Sequence, residues 1–146
     1  MRKFEKVSYA PADVLIPTRA DDGSAGSDFY CTADTIIQPG ECALIPTYIK
    51  VKMNKDEVLM LYVRSSMGIK RHIVLANGTG VIDGSYYNSP DNEGNVIAAL
   101  YNYGKDAQLI KKGERIMQGV FVKFLKPAND NVLYKERKGG IGSTGK

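Results

Sequence analysis

Short segments rich in β-branched and aromatic residues recur along almost the whole chain, and each is bounded by Gly, Pro, Asn or Asp. Tyr48 to Met53 alternates apolar and polar side chains, which is typical of a strand with one buried face. Arg115 to Leu125 has the length of a helix, but its β-branched and aromatic centre favours a strand. The other predicted strands are residues 14–16, 35–37, 42–45, 57–63, 73–75, 96–101 and 108–110. So many short strands, without a convincing helix, predict an all-β sandwich or jelly roll.

Composition limits the function classes open to this chain. Its 146 residues, 43% of them hydrophobic and 25% charged, predict one globular domain, and no apolar run suits a membrane span or a secretory leader. Two cysteines are too few for a disulfide framework, so a cytoplasmic location with reduced thiols is expected. The net charge of +4 attracts anions. Without a nucleic-acid-binding motif or a dense basic cluster, however, nucleic acid is not the expected partner.

One stretch, Asn77 to Asn88, combines glycines with reactive side chains. Gly78, Gly80 and Gly84 surround an apolar pair, an acid and an aromatic residue, which are Val81, Ile82, Asp83 and Tyr86. Because glycine permits close backbone approach, the stretch is predicted to form a hairpin whose N–H and C=O groups can contact a flat ligand. Asp83 and Tyr86 could then reach the same ligand. The residues alone leave open an ordinary surface hairpin.

Four other blocks have a similar mixture of glycine and polar side chains. Ala25 to Tyr30 contains Asp28 and opens a predicted strand. Arg64, Ser65 and Ser66 follow an apolar strand, where a guanidinium and hydroxyls suit phosphate oxygens, although a salt bridge with turn serines would look the same. The other two blocks are residues 112–118, which end in Gln118, and residues 137–145, which include Arg137, Ser143 and Thr144. His72 has no partner motif that predicts a catalytic triad, and no Walker A sequence is present.

Taken in order, these five blocks resemble the five motifs of the homotrimeric dUTP pyrophosphatases (dUTPases), including the phage and Gram-positive types. The resemblance extends from about residue 25 to residue 145. It implies an all-β, jelly-roll-like β-barrel formed by residues 1–136. It also implies a flexible glycine-rich arm, residues 137–146, that closes over the active site.

The resemblance further implies hydrolysis of dUTP to dUMP and pyrophosphate, with Mg²⁺ bound to the triphosphate and three active sites shared within a homotrimer. Asp83 would hold the 3′-hydroxyl and orient the attacking water, and Tyr86 would pack against the deoxyribose. Uracil would meet backbone groups near Asn77 and Gly80, beside Val81 and Ile82, under the arm residue Ile141. A neighbouring subunit would contact the phosphates through Arg64, Ser65, Ser66 and Gln118, and Asp28 would be an acid that supports Arg64. The arm of a third subunit would contact them through Arg137, Ser143 and Thr144.

The chain departs from the family pattern in three ways. Ile141 stands where the arm usually carries an aromatic residue, so the arm would cover uracil without stacking on it. Arg137 lies one residue closer to the following Gly-Gly pair than is common. Residues 87–95 form a longer polar loop, which is either a tolerated insertion or a contact for a regulatory protein. A dCTP deaminase-related activity on the same fold is a further alternative.

Overall fold

The computed structural model describes residues 1–133, which form an almost entirely β structure. Twelve strands are present: β1 Lys3–Lys6, β2 Thr18–Arg19, β3 Ser27–Tyr30, β4 Thr35–Ile37, β5 Cys42–Pro46, β6 Ile49–Lys52, β7 Glu57–Val63, β8 Ile73–Leu75, β9 Gly80–Asp83, β10 Ile97–Asn102, β11 Gln108–Ile110 and β12 Arg115–Lys123. One short helix, α1 Ser65–Ile69, and a 3-10 turn, Gly84–Tyr86, complete the described elements. None of the described helices has the length and apolar character needed to cross a membrane.

The strands pair antiparallel in four sheets. The largest sheet has the order β2-β3-β12-β7-β9, and the second has the order β5-β10-β8. Two strand pairs, β1-β6 and β11-β4, flank them. The nine-residue β12 pairs with both β3 and β7, so it ties three of the sequence blocks into one sheet. The structure therefore has the layered β architecture that the short strands predicted.

The core lies between these sheets and is made almost entirely of aliphatic and aromatic side chains. Phe29, Leu59, Leu100 and Ile116 have no exposed surface. Burying a side chain of this size contributes about 1.5–3 kcal/mol relative to leaving it in water. Alternate residues of a strand point to opposite faces. In the large sheet, the residues that alternate with the inward-pointing ones therefore lie on its outer face. That outer face carries the candidate site.

Three local predictions were wrong. Residues 14–16 are not a strand, because Val14 N–H closes a turn onto Pro11 O at 3.2 Å. The stretch after β8 is not a paired hairpin, since β8 pairs with β10 and β9 pairs with β7. Helix α1 was missed, and it begins directly at the Arg-Ser-Ser block. The other predicted strands are present, and none of their bounds differs from the expected one by more than two residues.

Candidate active site

A buried carboxylate organises one end of the large sheet. Asp28 lies in β3, with only 10% of its side chain exposed. Its Oδ1 is 3.2 Å from Arg64 Nε, and its Oδ2 is 3.7 Å from Arg115 Nη1. Because a carboxylate in such a position requires neutralisation, the two guanidinium groups stabilise it and are themselves held in place. The Asp28–Arg64 contact exists as expected, while the part it plays in ligand binding stays a prediction.

Gln118 and the two serines lie beside this ion pair. Gln118 faces Asp28 across the β12–β3 ladder and donates from Nε2 to Val63 O at 3.5 Å. Ser65 and Ser66 form the exposed first residues of α1, immediately after Arg64. The structure thus brings together the four residues predicted to contact phosphate, namely Arg64, Ser65, Ser66 and Gln118. A guanidinium, two hydroxyls and an amide at one surface position can donate several hydrogen bonds to an anion.

Asp83 occupies the opposite end of the same sheet. It is the exposed last residue of β9, which is the edge strand beside β7. β9 begins at Gly80, which is buried against β7: a Cβ built on Gly80 would lie 2.8 Å from Leu61 Cβ. The glycine is therefore required for close packing of β9 on β7. Asn77 lies in the exposed turn before the strand, and its C=O accepts from Thr79 N–H at 2.9 Å.

The pairing register puts Asp83 on the same face of the sheet as Asp28 and Gln118. Directly opposed residues of an antiparallel ladder share a face, and every second residue of a strand returns to it. Three rows of opposed residues cross the sheet on this face: Asp28, Gln118 and Tyr62; then Val120, Met60 and Val81; then Val122, Val58 and Asp83. Asp83 is opposite Val58, and Arg64 lies six residues farther along, about 20 Å at 3.3 Å per residue. Within one chain the two groups are too far apart to act on one phosphate.

Tyr86 is held in the loop that follows Asp83. Its side chain is 6% exposed, and its phenol donates to Asn95 O at 2.7 Å. The same oxygen accepts from Asn92 Nδ2 at 2.9 Å. Val81 is exposed and Ile82 is half-buried on β9, the strand before this loop. The arm residues Arg137, Ile141, Ser143 and Thr144, and the boundary at residue 136, lie outside the described residues.

Residues 12–145 match the family model described as dUTPase. The chain belongs to the dUTPase family. A Lactococcus lactis relative named deoxyuridine 5′-triphosphate nucleotidohydrolase is 46% identical over 147 residues, which cover 99% of this chain and 98% of the relative. A Clostridium tetani relative of the same name is 32% identical and covers 97% of this chain and 96% of its own length.

Solved structures of dUTPases share the architecture. The crystal structure of a Streptococcus mutans dUTPase, 41% identical, matches with a TM-score of 0.79 over 84% of this chain and 96% of that one. The dUTPase of Staphylococcus bacteriophage 80alpha is 23% identical and matches with a TM-score of 0.75 over 93% of this chain and 98% of its own. The resemblance read from the five blocks, and the jelly-roll-like dUTPase fold that it implied, are confirmed.

Sequence reasoning gave no role to two residues that the structure brings to the site of this dUTPase. Arg115 lies in the fourth block, and a register shift between Arg115 and Met117 lets it approach Asp28. Such a bulge leaves no sequence signal here. Asn92 contacts Tyr86 from within the polar loop. An Asn two residues before a Gly is a turn signal, but it does not indicate that the turn closes on an upstream aromatic residue.

Proposed function

We propose that the protein hydrolyses dUTP to dUMP and pyrophosphate, with a water molecule oriented by Asp83 attacking the α-phosphorus. The observation that carries this proposal is the 46% identity, over 99% of the chain, to a protein named deoxyuridine 5′-triphosphate nucleotidohydrolase. The position of Asp83 supports it, because an exposed carboxylate at a strand end can contact both a substrate hydroxyl and a water molecule.

In the proposed reaction the Asp83 carboxylate accepts a hydrogen bond from the attacking water. As the new oxygen–phosphorus bond forms, the carboxylate takes up the water proton, and the bond from the α-phosphorus to its bridging oxygen breaks. Pyrophosphate leaves with that oxygen. Arg64, Gln118 and the serine hydroxyls of residues 65 and 66 donate to phosphate oxygens, which stabilises the charge that develops there.

The edge position of β9 supports base recognition by the backbone. On one side β9 pairs with β7, and its other side presents backbone N–H and C=O groups. Uracil offers a ring N–H between two carbonyl oxygens, which is complementary to such groups. We therefore assign uracil to the backbone near Asn77 and Gly80, with Val81 and Ile82 beside it. The ring of Tyr86 would pack against the deoxyribose and leave no room for a 2′-hydroxyl.

Two observations support a homotrimer with shared sites. Asp83 and Arg64 are about 20 Å apart along β7, so a neighbouring copy must supply the missing half of each site. The residues between them form an apolar face: Val81 is 56% exposed, and Tyr62 and Val122 are each 41% exposed. Burying such a face against other copies would remove it from water and bring the two halves together. The arm, residues 137–146, is proposed to close on the phosphates from a third copy.

We propose that Mg²⁺ is bound by the triphosphate of the substrate rather than by side chains of the protein. Among residues 1–133, no group of three or more His, Cys, Asp or Glu side chains is arranged to hold a metal ion. A solved phage dUTPase is described with a structural Mg(II) ion, although at 20% identity it shares only the fold with this chain. When bound to the triphosphate, Mg²⁺ would neutralise its oxygens. We assign no Mg²⁺ ligand among the residues of the chain.

The remaining sequence-based expectations stay predictions. A cytoplasmic location is supported by the unpaired state of Cys31 and Cys42. A regulatory protein partner is not favoured by the described loop, because Asn92 and Glu93 already contact Tyr9 and Ser8 in the N-terminal segment of their own chain. Deaminase-related activity is not favoured either, since the relatives named above are nucleotidohydrolases.

The proposed function is tested by measuring pyrophosphate release from dUTP, dTTP, UTP and dCTP. We expect strong preference for dUTP, and a loss of about 10²–10⁴-fold in the Asp83→Asn variant because the carboxylate that accepts the proton is gone. Asp106→Asn, an exposed change in the loop before β11, is the matched control and should keep the rate. Rapid pyrophosphate release by Asp83→Asn, or ammonia release from dCTP, would contradict the proposal.

A further inference from the structure

The phenol of Tyr86 both donates a hydrogen bond to the loop of residues 87–95 and accepts one from it. Its hydrogen is donated to Asn95 O at 2.7 Å, and its oxygen accepts from Asn92 Nδ2 at 2.9 Å. A buried aromatic ring fixed at its polar tip has little freedom to tilt. The orientation of the ring therefore depends on groups that lie six and nine residues farther along the chain.

Asn92 is the member of this pair that acts through its side chain. Its Oδ1 accepts from Gly94 N–H at 3.0 Å. Because a backbone N–H can only donate, this contact fixes which end of the amide is oxygen and turns Nδ2 towards Tyr86. The backbone C=O of Asn92 accepts from Tyr9 Oη at 2.9 Å. Asn92 is thus held from two sides while it donates to the phenol.

The loop itself is anchored, so its hold on Tyr86 is firm. Glu93 accepts from Ser8 N–H at 3.0 Å and from the Ser8 hydroxyl. Lys50 donates to Asn88 Oδ1 at 2.6 Å and lies 3.3 Å from Glu93 Oε2. Gly94 has φ +85°, and a Cβ there would lie 2.3 Å from the backbone oxygen of Tyr86, so the loop backbone packs directly against the Tyr86 carbonyl. These contacts connect the N-terminal segment to the backbone around Tyr86.

We propose that Asn92 is a positioning residue that sets the discrimination between deoxyribose and ribose by holding the ring of Tyr86. The proposal rests on the proposed function, in which that ring packs against the sugar. A ring fixed at its tip cannot move aside for a 2′-hydroxyl, whereas a ring released at its tip can. Without Asn92, kcat/KM for the ribonucleotide should therefore rise relative to kcat/KM for the deoxyribonucleotide.

The experiment compares kcat and KM for dUTP and UTP in the wild type, Asn92→Asp and Asn92→Ala. The aspartate still accepts from Gly94 N–H but offers Tyr86 an acceptor in place of a donor, so the phenol proton is drawn from Asn95 O. We expect the ratio of kcat/KM for dUTP over UTP to fall about three- to tenfold in both variants, the range of one lost hydrogen bond. The ratio should fall mainly because kcat/KM for UTP rises, while kcat for dUTP changes little.

Asn88→Asp is the matched control, because it makes the same chemical change in the same loop at a side chain that contacts Lys50. It should leave the substrate ratio unchanged. Tyr86→Phe removes both contacts at once, so adding Asn92→Ala to it should have no further effect on the ratio. If the Asn92 variants melt at a lower temperature but keep the wild-type ratio, Asn92 only supports the loop and the proposal is overturned.

Binding separates this proposal from the proposed function. Calorimetric affinities for dUDP and UDP measure the same sugar discrimination without turnover. A wild type that binds dUDP more tightly than UDP but releases no pyrophosphate from dUTP would refute the hydrolytic function alone, and the Asn92 variants would still have to narrow the affinity ratio. Equal affinities in the wild type, or an unchanged ratio in both variants, would overturn the role of Asn92.

Discussion

Mixing two inactive variants should restore activity if each active site is shared between subunits. Asp83→Asn removes the carboxylate that is proposed to orient water. Arg64→Gln removes the guanidinium charge while leaving an amide that can donate to Asp28. The two positions lie about 20 Å apart along β7, a separation that one arginine side chain cannot span. Restored activity therefore requires that an intact Asp83 from one copy meet an intact Arg64 from another.

The size of the effect follows from the arrangement of a trimer. Each site needs a native Asp83 from one copy and a native Arg64 from a neighbour. In a random one-to-one mixture, a site is therefore intact when its Asp83 comes from an Arg64→Gln chain and its Arg64 comes from an Asp83→Asn chain. That condition is met in about a quarter of the sites. Each parent should retain about a hundredth of the wild-type rate or less, since a lost general base or a lost oxyanion donor costs at least that factor.

The assay is pyrophosphate release from dUTP after the two variants are unfolded together in urea and refolded together. We expect about a quarter of the wild-type rate per chain. Variants refolded separately and mixed afterwards are the control, and they should stay inactive until subunits exchange. If the co-refolded mixture is no faster than the average of its parents while forming normal trimers by light scattering, the shared-site reasoning is refuted.

Three further predictions follow from the described contacts and from the arm. Gly80→Ala should lower the free energy of unfolding by about 1–3 kcal/mol in urea titrations, because the added Cβ would overlap Leu61. Gly23→Ala is the control and should not destabilise the fold, since the nearest atom to its added Cβ is 3.6 Å away. Equal effects would contradict the close packing of β9. Hydrogen bonds from Ser8 hold the pKa of Glu93 below the ordinary range of a glutamate. Its stabilisation is therefore complete above the ordinary glutamate pKa and is lost as the pH falls through the folded-state pKa. The difference in urea midpoint between wild type and Glu93→Gln should therefore close in acid, and a constant difference would refute this role of Glu93. Deleting residues 138–146 should lower dUTP turnover without changing the oligomer in size-exclusion chromatography, and an unchanged rate would exclude a closing arm.

Much of the strand layout could be predicted from local sequence. Residues 57–63, 73–75 and 108–110 form strands at the predicted bounds, because β-branched and apolar residues there are closed off by turn residues. Helix α1 could not be predicted, since five residues are too few to show a helical repeat. The partner of β8 could not be predicted either: it pairs with β10, more than twenty residues away, and nothing local encodes that choice.

The candidate site could be predicted as a set of residue types but not as a geometry. The order of the blocks identified the family and grouped Arg64 with Asp28 and Gln118. It gave no hint that Arg115 would share the carboxylate, because that contact depends on a register shift in β12. The separation of Asp83 from Arg64 along β7 was also invisible in the chain order, since it follows from which strands pair and in which register.

The edge position of β9 has a consequence for how this protein can change over evolutionary time. Peptide groups are the same whatever side chains the strand carries. If uracil is bound by the β9 backbone as proposed, it would therefore still be recognised after Val81 and Ile82 are replaced by other apolar residues. Selectivity stored in this way is robust to most single substitutions. It is also hard to redirect, because a new base would require the strand to move rather than one side chain to be exchanged. A lineage could therefore exchange the apolar side chains of β9 and still inherit the same choice of base.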